Sequence, residues 1–150
     1  MSAIRENEIV AGLVVHLDTD ILRRERTCET NAEVTRQGTD RAVIGRHLFL
    51  VVESALATRT CLAVPLFSNP APGGQALDES KRRGSFDFWT KGTSRFSRWQ
   101  HWRIPFDALI AASAQERTTE ADRCTYPGTP PDFAKIVSWV SKNHAQFRIP

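Results

Sequence analysis

Arg46-His47-Leu48-Phe49-Leu50-Val51-Val52-Glu53 and, six residues later, Thr60-Cys61-Leu62-Ala63-Val64-Pro65-Leu66-Phe67 decide the fold. Both runs are rich in β-branched and aromatic side chains, and the separation suits an antiparallel hairpin with a longer loop. Antiparallel partners have residue numbers of constant sum, so a loop centred on Ala57 sets Arg46 opposite Ser68, the two summing to 114. Cross-strand Cβ atoms lie about 5 Å apart. A guanidinium clamps a phosphate bidentately and a hydroxyl bonds a non-bridging oxygen, so the pair suits phosphodiester cleavage. The same two residues also read as a solvated strand end and a turn starter.

Upstream, Ile9 to Leu17 reads as a first strand containing Gly12. Residues 18–45 are polar and charged, with apolar content too thin for a regular element, and read as a long, partly ordered insertion. Downstream, Ser68-Asn69-Pro70-Ala71-Pro72-Gly73-Gly74 turns the chain. Phe86 to Trp89 and Trp99 to Ile104 read as further strands, the second stopping at Pro105, and Phe106 to Ala114 as a short helix. Thr118 to Thr129 reads as a linker. Thr129-Pro130-Pro131-Asp132 has the residue order of a helix start, predicting a C-terminal helix over about 130–144. Its stripe of Phe133, Ile136, Val137 and Val140, widened by Trp139, predicts packing against the sheet or a partner. The expected class is a single β-rich α+β domain over residues 1–150, its strand core over about 9–114.

Composition agrees with that class, since 41% hydrophobic and 25% charged residues are ordinary globular values. Apolar runs such as Leu48–Val52 reach about a quarter of a membrane-spanning length. Met1 to Glu8 is charged where a secretory signal is apolar, so a cytoplasmic location with no membrane contact is expected. Cys28, Cys61 and Cys124 are odd in number and far apart, and His16, His47, His101 and His144 lack metal-ligand spacing. No metal, cofactor or disulfide is expected.

The net charge of +3 conceals an asymmetry. Residues 80–103 hold seven basic residues (Lys81, Arg82, Arg83, Lys91, Arg95, Arg98, Arg103) against Asp87 alone, and the remainder holds thirteen against sixteen acidic. A segment of +6 in a chain otherwise at −3 attracts polyanions by counterion release. Interleaved rings, Trp89 and Trp99 among them, suit stacking on unpaired bases, which makes nucleic acid the expected partner. Aromatics at these spacings also build strands, and a basic loop also serves solubility.

Gly12-Leu13-Val14-Val15, the segment Gly45 to Val52 and Ala63-Val64-Pro65-Leu66-Phe67-Ser68-Asn69 together resemble the MazF/PemK toxins over about the middle third of the chain. The chain departs from that pattern at His47, where the family has proline, at Phe67, where a second hydroxyl is common, and in the length of the insertion. The resemblance implies a small SH3-like antiparallel barrel, shared with the gyrase poison CcdB, and a homodimer that cleaves RNA without metal, leaving a cyclic phosphate. It implies an antitoxin protein as partner, with Arg46 stabilising charge and Ser68 positioning the phosphate. Proton transfer then falls to a histidine; strand alternation points His47 away from Arg46, leaving His101 as the candidate. The alternatives are a non-catalytic SH3-like module binding nucleic acid or protein through the aromatic-basic surface, and a CcdB-like toxin gripping a protein through its last helix.

Overall fold

A computed structural model describes residues 4–25, 27–32, 43–67, 74–77, 81–84, 87–90, 94–97, 100–114, 124–127 and 133–138. The hairpin is its centre. β3 (Arg46–Ala55) and β4 (Thr60–Phe67) pair antiparallel as expected, and the rungs Phe49–Pro65, Leu50–Val64 and Val51–Ala63 each sum to 114. A bulge at Val52 shifts the remaining rungs by one, to Glu53–Leu62 and beyond. Val51 and Val52, neighbours in sequence, are buried on opposite faces, as strand alternation requires.

β1 (Leu13–Asp18) lies along the other side of β3, from Val14–Leu50 to Asp18–Arg46. It begins later than the Ile9 to Leu17 expected, because a 3-10 turn at Glu6–Glu8 and a bend at Gly12, φ +103°, precede it. A Cβ on Gly12 would stand 2.9 Å from the Tyr126 carbonyl, so only glycine allows this approach.

The polar insertion is more structured than its composition suggested. α1 (Thr19–Arg24) starts directly after β1, its first turn capped by Asp18, whose carboxylate accepts from the Asp20 amide at 2.9 Å. β2 (Glu29–Thr30) pairs with β7 (Trp102–Pro105), which pairs in turn with the first half of β4. The second half of β4 pairs instead with β6 (Arg95–Ser97), which carries β5 (Gly74–Ala76) on its far side. Pro65 stands where β4 changes partners, so its missing N–H falls at an interrupted ladder.

Three further expectations are revised. Phe86 to Trp89 is not a strand; α2 (Asp87–Thr90) occupies it, a four-residue aromatic run being too short for periodicity to separate helix from strand. The linker contains β8 (Cys124–Thr125), paired with Leu13 and Val14. β7 starts at Trp102, later than the Trp99 expected, and includes Pro105, where the strand was expected to stop; α3 (Phe106–Ala114) occurs where read. Of the C-terminal helix, residues 133–138 are helical (α4) and the remainder lies outside the described residues.

The result is a sheet-rich α+β fold whose central path runs β2-β7-β4-β3-β1-β8. Among the described residues this path ends at β2 and β8, which do not pair with each other. Both faces are buried. Leu13, Val15, Leu17, Phe49, Val51 and Trp102 face α1 and α3. Val14, Leu50, Val52 and Val64 face α2, α4 and the β5–β6 arm, with Phe133 and Ile136 buried there and Val137 partly so, as the helical stripe required. Strict alternation along β1, β3 and β4 builds both cores at once. No helix among the described residues is long and apolar enough to cross a membrane.

Cys61 pairs with Ile104, and Cys28 enters β2 one residue before Glu29, the partner of Arg103. Two strand spacings, about 10 Å, thus separate the two Cα atoms, too far for a disulfide. Burial pushes both thiols up to about 12, helped at Cys28 by Glu29 and Glu25 and at Cys61 by Cys28. Because the thiolate is the nucleophile, labelling of Cys28 and Cys61 by a disulfide reagent at about pH 8 is expected to proceed only at the rate of unfolding. Rapid stoichiometric labelling of either residue in folded protein contradicts this placement.

Candidate functional site

Arg46 is exposed and opens β3, directly after Gly45, whose φ of +68° turns the chain into the strand. The turn is held by Thr19, whose amide and hydroxyl both donate to the Gly45 carbonyl, at 3.0 and 2.8 Å. The start of α1 therefore fixes where β3 begins and where Arg46 stands. Opposite Arg46 is Asp18, the last residue of β1.

On its other side the hairpin opens. The last rung is Phe49–Pro65; beyond it β4 turns to β6, pairing Leu66 with Phe96 and Phe67 with Arg95. His47 occupies the mouth. Its Nε2–H donates to the Leu66 carbonyl at 2.7 Å, and its ring packs edge-on against Phe67 and Phe49, with centroids 5.5 and 6.1 Å away. A carbonyl only accepts, so Nε2 carries the proton. Burial lowers the His47 pKa; the Leu66 bond partly offsets this and nearby His16 lowers it further. As expected, His47 turns away from Arg46, to the face of Leu17 and Phe49. His16, half-buried, pairs with Leu48 and lies on the face of Arg46.

The other sequence candidates are not gathered at this rim. His101 is 1% exposed; Asn31 Oδ1 accepts from its amide at 3.0 Å, and its carbonyl accepts from the Thr30 hydroxyl at 2.8 Å. It precedes Trp102, the partner of Ala63, and continuing that register sets it level with Leu50, four residues from Arg46. That is about 13 Å along the sheet and two strands across. Proton transfer at Arg46 by His101 is therefore withdrawn.

Arg82 and Trp89, read as RNA contacts, form a buried structural pair. The guanidinium carbon sits 5.3 Å from the Trp89 ring centroid, and its nitrogens donate to the Leu77 and Trp89 carbonyls at 3.0 and 3.3 Å. Trp89 Nε1 donates to the Arg83 carbonyl, and neither side presents a surface to a base. Arg83 is exposed and Lys81 partly so, but the Arg83 backbone bridges Thr125, the partner of Leu13. Leu13 begins β1 and Asp18 ends it, so Arg83 and Arg46 are about 16 Å apart along the sheet and three strand spacings apart across it. The basic segment is thus divided. Of its described members, Arg95, half-buried beside Phe67, lies nearest the hairpin mouth. Ser68, Lys91, Arg98 and Trp99 lie outside the described residues.

No family model matches the chain, and no curated protein or solved structure does.

Because His47 is buried with a lowered pKa, the unfolded chain binds its proton more readily than the folded one. Its contribution to stability is constant above the unfolded pKa and falls as pH drops through it toward the folded value. Wild-type protein is expected to lose stability relative to His47→Gln between about pH 7 and pH 5, followed by denaturant midpoint. A gap independent of pH over that range contradicts the neutral, buried assignment.

Proposed function

We propose that the chain is a metal-independent endoribonuclease of the toxin–antitoxin type, acting on single-stranded RNA, with the sheet forming an SH3-like barrel. The observation that carries this reading is Arg46, exposed at the rim where β4 leaves the hairpin. A cation fixed by a turn rather than by a flexible loop suits charge that develops on a phosphate oxygen, since preorganised donors need no reorganisation during reaction. The rim also carries Arg95 within reach of a strand's backbone.

Partners in this reading are single-stranded RNA, an antitoxin and a second copy of the chain, in the cytoplasm. Burial takes Arg82 and Trp89 out of the aromatic-basic surface on which the non-catalytic module rested.

Cleavage of a mixed-sequence single-stranded RNA by wild-type protein in chelator is the expected result. Arg46→Ala is expected to lower the rate by about two to three orders of magnitude while weakening RNA binding far less. Ser68→Ala is expected to cost less, because a neutral hydrogen bond contributes less than a charge-assisted one. Equal rates for wild type and Arg46→Ala contradict the assignment.

A further inference from the structure

Cleavage at Arg46 needs a group that takes a proton, and imidazole is the side chain suited to that exchange near neutral pH. Three of the four histidines lie among the described residues. His101 is buried and distant, and His47 spends Nε2 on the Leu66 carbonyl on the opposite face. His16 remains.

Its placement follows from register. His16 pairs with Leu48 and Asp18 with Arg46, so His16 and Arg46 are diagonal neighbours on one face of the β1–β3 pair. Diagonal residues are about 7–8 Å apart, a gap that the two side chains span when a phosphodiester lies between them. Asp18 faces Arg46 across the strands and also caps α1. We infer that His16 is the general base of this site, taking the proton from the 2′-hydroxyl of an RNA whose scissile phosphate is held by Arg46. The inference rests on the ribonuclease reading and deepens it by adding a catalytic residue.

The step balances. Neutral His16 removes the 2′-hydroxyl proton as the O2′–P bond forms, and the P–O5′ bond breaks. The departing 5′-oxygen takes a proton from water, and the hydroxide released neutralises the proton on His16. The products are a 2′,3′-cyclic phosphate and a 5′-hydroxyl, with no redox change.

Charged and titratable groups around His16 include Asp18 on its own strand, Arg46 and His47 on β3 and Arg95 on β6; at the same level β4 and β6 contribute Leu66 and Phe96.

The test measures RNA cleavage against pH for wild type, His16→Ala, His16→Gln and Arg46→Ala, with circular dichroism and RNA binding as controls for folding. Expected is a fall of about 10²- to 10⁴-fold in both His16 variants, loss of the acidic limb of the profile, and partial restoration of His16→Ala by added imidazole. Wild-type cleavage, impaired Arg46→Ala and unimpaired His16 variants overturn the role of His16 while leaving the ribonuclease reading intact. A loss with the acidic limb unchanged and no imidazole rescue also overturns it, since a packing role leaves that limb in place. Intact RNA with wild-type protein overturns the ribonuclease reading itself.

Discussion

Everything in this fold hangs on the ladder between β3 and β4. Its three rungs around Leu50–Val64 register two strands that are apolar on both faces, and the bulge at Val52 shifts the register where the doubly buried part of β3 ends. In a sheet coated on both sides a slip by one residue would exchange Phe49 and Leu50 between two differently packed cores, so packing in both enforces the register. The rim is the consequence. Where β4 swings away to β6, the Leu66 carbonyl turns to a side chain, and His47 supplies it. A proline at position 47 would have no such donor.

The hairpin was legible because two continuous apolar runs joined by a short loop leave little freedom in the register. α3 and the Phe133, Ile136, Val137 stripe were legible for a related reason, a period of 3.6 sustained over two turns or set beside a proline boundary. α1 and β2 were not. The Asp18-Thr19-Asp20 cap is written plainly, yet α1 contributes few apolar residues, with Leu22 its fully buried aliphatic side chain, and β2 is two residues held by β7 rather than by its own propensity. β8 escaped notice because tertiary pairing, not pattern, makes Cys124–Thr125 a strand.

The candidate site divides along the same line. Arg46 was legible from the hairpin's own arithmetic. His16 was not, since a long connection joins β1 to β3 and no short turn fixes that register in advance. The basic segment misled because summed charge carries no position. Arg82 is spent on two carbonyls and a tryptophan face, and Arg83 lies at the opposite end of β1. Cation and ring close in sequence read equally as a surface for bases or as a packed pair, and only burial separates the two.

The central claim is that Arg46 stands at a site for transesterification of RNA, and the chemistry of the product ends tests it most directly. After single-stranded RNA is incubated with wild-type protein in excess chelator, mass spectrometry of the fragments is expected to show 2′,3′-cyclic phosphate at one end and 5′-hydroxyl at the other. Intact RNA, or fragments bearing 5′-phosphate and 3′-hydroxyl ends, contradicts the account.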